Sequence, residues 1–308
     1  MVHSSKNLAL SASNLCKSYG DHKVLNNLEL SVESGAIHGL VGLNGSGKTT
    51  TLECILGLQP FADGDISLLG YAPNRLHEAR GRIVSIFDSP SLNPNLTVRQ
   101  TLEHGALLCQ RPVRKPAELE TLLGIERFSN FRIKTLSLGN KRRASIAQAL
   151  LGEPELILLD EPFNGLDAGG VDDVLALIKQ LNEDEGTSFL LSSHQLPYLE
   201  QICSHLSILH QGKIVISDRV EKLLSGHLPV ALLHCAKVDE AIDAIKIMAG
   251  VNYQKTDRDG FIHVELLALD SAELNRNLIH LGISVGELRI NRASLSALFR
   301  TVTSESAS

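Results

Sequence analysis

Residues 42–49 read Gly42-Leu43-Asn44-Gly45-Ser46-Gly47-Lys48-Thr49, a complete match to the pattern G-x-x-x-x-G-K-[ST]. Its setting constrains the fold further. An apolar strand over residues 36–41 runs straight into the glycines, and a helix follows from Lys48 to about Leu56, with Thr50 in its first turn. Glycines here let backbone N–H groups turn inward around phosphate oxygens, and the helix adds the positive end of its dipole. Lys48 is placed to reach the β and γ phosphates of a nucleotide, and the Thr49 hydroxyl to ligate Mg²⁺. The chain is thus expected to be an α/β protein of the P-loop type, holding a nucleoside triphosphate at a strand end.

The run Leu156-Ile157-Leu158-Leu159-Asp160-Glu161 supplies the second half of such a site. Its continuous apolar stretch fits a parallel strand covered on both faces. Two carboxylates at the end of that strand are costly to bury without a ligand, a metal or solvent. Asp160 is the candidate to hold Mg²⁺, directly or through water. Glu161 is the candidate to polarise the water that attacks the γ-phosphate.

Turn signals and periodicity organise the rest of the chain. Strands are expected over 8–19, 24–32, 65–69, 82–87 and 188–191, with two more in 206–216 meeting at Gln211-Gly212. Helical segments fill 98–132, broken at Arg111-Pro112 and Lys115-Pro116, and helices follow over 139–151 and 171–181. A boundary falls near Ser225-Gly226-His227-Leu228-Pro229. Beyond it, strand 230–234, helix 238–248, strands 251–255 and 261–266, helix 271–280 and strand 285–290 read as a small ferredoxin-like α+β domain. Domains are expected at 6–225 and 230–302, with a helical subdomain at about 98–150 and a flexible tail over 303–308.

Composition narrows the partners. A formal net charge of −6 argues against broad nucleic-acid binding, so no nucleic-acid partner is expected. Cys16, Cys54, Cys109, Cys203 and Cys235 stand singly without metal-ligand spacing, as in a reduced cytoplasmic protein. The N-terminus does not read as a secretion signal, and no apolar run reaches the roughly 18 residues that span a bilayer. Work at a membrane would pass through a partner.

Further motifs lie between and beyond the two halves of the site. Leu136-Ser137-Leu138-Gly139-Asn140-Lys141-Arg142-Arg143 precedes the Asp-Glu strand, while Glu161-Pro162, Asn164-Gly165-Leu166-Asp167 and Ser192-Ser193-His194 come after it. In this order and spacing the chain resembles the ATP-binding cassette (ABC) ATPases over residues 6–220, with residues 136–143 standing where that family has its L-S-G-G-Q signature. The resemblance implies a mixed sheet core with an inserted helical subdomain. It also implies an ATP-sandwiched dimer in which neither protomer carries a complete site. Tyr19 looks like the aromatic that stacks on adenine, the alternative being a half-buried strand tyrosine. Ser137 and Gly139 would meet the γ-phosphate held by the other protomer. Asp167 resembles the residue that orients the opposing site, and fits equally an ordinary N-cap. His194 resembles the switch histidine that contacts the γ-phosphate. Residues 140–143 read as a solvated first turn whose charges oppose the helix dipole, with no direct catalytic job.

The chain departs from the family pattern in places. Aligning Pro94-Asn95-Leu96-Thr97-Val98 puts Asp88 where the family has a glutamine that touches Mg²⁺ and the attacking water. Asp88 is therefore a candidate metal ligand and catalytic residue, or else a surface-loop aspartate. The 98–132 segment is short, and Leu138 and Asn140 replace commoner signature residues.

The implied function is that of an ATP-hydrolysing subunit of an exporter, like the bacitracin-resistance and lantibiotic self-protection subunits. Its partners would be a separately encoded transmembrane permease and either a second copy or a similar ATPase subunit. It would be cytoplasmic, held at the inner face of the cell membrane through the permease. The alternatives are a non-transport ATPase of the same type, or an ATP-binding module without turnover.

Overall fold

The computed structural model describes residues 7–89, 91–225, 228–291 and 294–305. The chain divides into two compact units, residues 1–220 and 221–308. The expected domain start at residue 6, the boundary residues Gly226 and His227, and tail residues 306–308 lie outside the described residues.

The first unit contains β1 (Leu8–Tyr19), β2 (His22–Glu33), β3 (Ile37–Val41), α1 (Lys48–Ile55), β4 (Asp63–Leu68), β5 (Ile83–Ile86), α2 (Val98–Leu108) and α3 (Pro116–Leu122). It continues with α4 (Leu138–Ala149), β6 (Leu156–Asp160), α5 (Ala168–Glu185), β7 (Ser188–Ser193), α6 (Leu196–Ile202), β8 (His205–His210) and β9 (Lys213–Arg219). Helix α7 (Val220–Ser225) straddles the division. A three-stranded antiparallel sheet has the order β2-β1-β4. A six-stranded sheet has the order β5-β6-β7-β3-β8-β9, parallel except for the β8–β9 pair.

Strands β3, β6 and β7 are buried at every residue, which is why their sequences are near-continuously apolar rather than alternating. Truncating one of their leucines, such as Leu158, is expected to cost about 2–5 kcal/mol. Their lateral order decides the site. Because β7 lies between β3 and β6, the carboxyl ends of all three converge, with Val41 opposite Ser193 and Asp160 opposite Ser192. Ligands of open α/β sheets bind at such ends.

The prolines act differently from one another. Pro116 opens α3 at its first turn, where its missing N–H is no loss, so Arg111-Pro112 falls in the break between α2 and α3 while Pro116 does not interrupt helix. Helix α2 starts at a reciprocal capping box between Thr97 and Gln100.

The second unit runs β10 (Val230–Cys235), α8 (Val238–Ile247), β11 (Val251–Thr256), β12 (Ile262–Leu266), α9 (Ser271–His280), β13 (Val285–Asn291) and α10 (Leu295–Glu305). Its antiparallel sheet has the order β11-β12-β10-β13. Ala231, Leu233, Ile262 and Val264 on alternate strand positions form one core with Ala241 and Ile245 of α8 and Leu274 and Leu278 of α9. Cys235, Met248 and Tyr253 belong to this core or pack against it. Helix α10 continues through Glu305, into the segment expected as a tail from residue 303. Leu295 and Phe299, buried at i,i+4 spacing, give that helix an inward face.

Candidate active site

The phosphate-type loop leaves β3 at Gly42 and enters α1 at Lys48. Gly47 has φ 104°, a conformation strained for any residue with a side chain, and a Cβ there would crowd Leu25 Cδ2 at 3.0 Å. The Ser46 hydroxyl is buried in the loop without a hydrogen-bond partner in the structure. A buried orphan of this kind beside inward-turning backbone fits a loop built to wrap an oxygen-rich group. Lys48 is buried, and its ammonium donates to Gly42 O at 2.9 Å and lies 3.3 Å from Glu161 Oε1. The second of these partners, Glu161, belongs to the cleft wall.

Asp160 and Glu161 stand at the end of β6, both buried. Asp160 accepts on one oxygen from the Thr49 hydroxyl at 2.9 Å and on the other from the Ser192 hydroxyl. Glu161 adopts a left-handed backbone, φ 46°, unusual for a residue with a side chain. Its N–H donates to Ser192 O at 2.8 Å, which ties the turn to β7. Ser193 Oγ donates to Glu161 Oε2 at 3.2 Å, and His194 Nδ1 lies 3.0 Å from both carboxylate oxygens. A lysine, a histidine and a hydroxyl thus converge on one buried carboxylate. Backbone strain held in place by surrounding contacts clusters at functional sites.

Lys48, Thr49, Asp160, Glu161 and His194 line a cleft of about 450 Å³ together with Val24, Asn44, Gly45, Gly47, Thr50, Asp88 and Asn164. The cleft gathers most of the residues the sequence singles out. Gly42 and Ser46 belong to the same loop without lining the cleft, and four other residues lie elsewhere. Tyr19, at the end of β1, is half-exposed with the Lys17 ammonium 4.6 Å from its ring centre. Ser137 is the exposed N-cap of α4, accepting from Asn140 N at 3.3 Å, and Gly139 is in that helix's first turn. Asp167 is the exposed N-cap of α5, accepting from Gly170 N at 2.8 Å.

The basic turn at 140–143 is not simply a solvated face. Lys141 and Arg143 are part-exposed, but Arg142 is among the largest fully buried side chains. It donates to Phe87 O at 2.8 Å, to Asp88 O at 2.7 Å and to Asp88 Oδ1 at 3.2 Å. Burial lowers its pKa, with Asp88 and Asp160 opposing the shift. A signal for this was present: Arg142 shares an i,i+3,i+4 face with Ser145 and Ile146, the inward side of α4.

The ABC transporter family profile matches residues 25–164. The chain is 32% identical to the bacitracin transport ATP-binding protein of Enterococcus faecalis, over 93% of each chain. The chain belongs to the ABC transporter ATP-binding proteins. It is also 30% identical to the linearmycin resistance ATP-binding protein of Bacillus subtilis, covering 95% of this chain and 99% of that one. A solved ATP-binding subunit of an ABC transporter superposes with a TM-score of 0.64 at 28% identity, covering 71% of this chain and 92% of that chain. As an ABC ATP-binding protein it binds and hydrolyses ATP to power a membrane transporter, working with a membrane permease. Among the described residues, no helix is long and apolar enough to cross a membrane.

Proposed function

We propose that this ABC subunit hydrolyses Mg²⁺-ATP in the cleft between Lys48 and Glu161, with Glu161 orienting the attacking water. The observation that carries the reading is the convergence of Lys48, Ser193 and His194 on the Glu161 carboxylate. Lys48 leaves its loop carbonyls for the β and γ phosphates, which frees one Glu161 oxygen to accept a hydrogen bond from water. The water oxygen bonds to the γ-phosphorus as the bridging bond to ADP breaks, and His194 steadies the γ-phosphate oxygens. Tyr19 stacks on the adenine, and residues 42–50 wrap the phosphates.

The Thr49 hydroxyl and the Asp160 carboxylate, 2.9 Å apart on the cleft floor, fit Mg²⁺, which takes hard oxygens and few protein ligands. Asp88 stands on the same cleft and completes the set. Magnesium bound there neutralises charge on the phosphates.

Ser137, Gly139 and Asp167 do not line this cleft, and Ser137 and Asp167 are exposed, which supports their serving the site of a second copy in an ATP-sandwiched dimer. Closure on ATP and reopening after hydrolysis drive a separately encoded permease at the inner face of the cell membrane. The relatives named for bacitracin transport and linearmycin resistance favour export as the direction.

Sedimentation of Glu161→Gln with ATP tests the dimer: ATP-dependent dimers, abolished by Ser137→Arg, are expected. A monomer at saturating ATP contradicts it. Retention of a multi-span membrane protein on the tagged wild-type chain in detergent tests the permease pairing, and recovery of the chain alone contradicts it.

A further inference from the structure

The Arg142 guanidinium joins three parts of the molecule that sequence separates. It projects from α4, the helix that begins at Ser137. Its acceptors are Phe87 O and Asp88 O, just after β5, together with Asp88 Oδ1 and the Glu161 carbonyl at 3.4 Å, just after β6. Strands β5 and β6 are neighbours in the sheet, so one planar fork spans both of their ends.

Several features separate this from an ordinary structural arginine. The side chain is 1% exposed, and its Nε is buried without a partner in the structure, so part of its desolvation is left uncompensated. One acceptor is the carbonyl of Glu161, whose left-handed backbone needs support from outside its own strand. Among the described residues Asp88 is held through Oδ1 by Arg142, while its side chain remains 53% exposed on the nucleotide cleft.

We propose that Arg142 is a positioning residue for hydrolysis. It fixes the Asp88 carboxylate at the rim of the cleft and holds the Glu161 turn, so that α4 and the two carboxylates move as one piece. The inference rests on the reading of Glu161 and Asp88 given above and adds a residue to it. An arginine is required because no other side chain donates from two coplanar nitrogens to carbonyls on adjacent segments. Lysine keeps the charge but loses the fork.

The test is steady-state ATP hydrolysis by the full chain carrying Arg142→Lys, Arg142→Gln, Asp88→Asn or the Gln/Asn double change, at varied ATP and varied Mg²⁺. Both Arg142 variants are expected to lower kcat roughly 10- to 100-fold, the cost of small misplacement at a reacting centre. Their KM for ATP is expected to stay within about threefold of wild type. The Mg²⁺ concentration giving half-maximal rate should rise in the Arg142 variants and in Asp88→Asn. The double variant should be no worse than the poorer single one, because the residues act as a unit.

Wild-type kcat and Mg²⁺ dependence in Arg142→Lys would overturn the proposal, as would fully multiplicative effects in the double variant. Asp88→Asn keeps the shape of a half-exposed side chain, so an unchanged Mg²⁺ midpoint in that variant, with its fold confirmed by circular dichroism, also overturns it, even where Arg142 variants misfold. Glu161→Gln in the same assay separates the two readings. If Glu161→Gln is inactive while Arg142→Lys is normal, only the Arg142 role fails; if Glu161→Gln retains turnover, the reading of the site itself fails.

Discussion

The Thr49 hydroxyl donates to Asp160 Oδ2 at 2.9 Å although 111 residues separate them in the chain. The contact exists because β3, β7 and β6 are parallel neighbours, so the loop after β3 and the acidic end of β6 meet at the carboxyl end of the sheet.

Asp160→Asn keeps the shape of this contact and removes the charge. We expect ATP turnover to fall by roughly 100-fold or more, with a higher Mg²⁺ requirement, since preorganised charge at a reacting centre is commonly worth that much. Hydrolysis rates across a Mg²⁺ titration check it. A variant with unchanged rate and midpoint would remove Asp160 from the metal site.

Ser192→Ala deletes the buried hydroxyl that donates to the other Asp160 oxygen. The expected loss of stability is about 1–2 kcal/mol, because a buried acceptor is left short of a partner. Urea unfolding measures the loss, and the same variant should show a weaker Mg²⁺ response than wild type.

Much of this site is legible along the chain. Residues 42–49 declare their chemistry through glycine spacing, and Asp160 and Glu161 through two carboxylates ending a run too apolar to face water. The burial of Arg142 is not legible in the sequence through the dipole argument, which considers only its own helix. Its acceptors lie on two strand ends whose adjacency is a product of sheet order, and no spacing in the sequence encodes that. Ser192 and Ser193 read as part of a motif, but their grip on the two carboxylates likewise depends on β7 lying beside β6. The helix through Glu305 is hard to read because small polar residues near the end mask the apolar spacing of Leu295 and Phe299.

Gly165 links the two segments assigned to the dimer partner. Its φ is +69°, and a Cβ there would lie 2.1 Å from Leu138 Cδ2. Gly165→Ala is therefore expected to destabilise the fold by about 1–3 kcal/mol. Adding Leu138→Ala should recover only part of the loss, because it relieves the overlap and leaves the backbone conformation. Denaturant midpoints of the single and double variants decide it, and full recovery would show that conformation contributes nothing.

His38 gives the fold an acid-sensitive point. It is buried on β3 with its Nε2 2.7 Å from Ser207 Oγ and its ring stacked 6.0 Å from His205. Burial, aided by His205 and opposed by Glu33, lowers its pKa from 6.5 to about 3. In the window between those values the unfolded chain takes up a proton that the folded chain does not, so stability falls as pH falls. The loss should reach about 2 kcal/mol by pH 5. His38→Gln should melt with a shallower dependence on pH between 7 and about 4. A slope equal to wild type would contradict a neutral buried His38.

The most direct measurement is the Mg²⁺-dependent ATPase rate of the purified full chain beside Glu161→Gln, with ATP binding followed in parallel. The expected result is that Glu161→Gln binds ATP as wild type does and loses turnover by roughly 100-fold or more. Turnover near the wild-type rate in Glu161→Gln would contradict the placement of the chemistry at the Lys48–Glu161–His194 cluster.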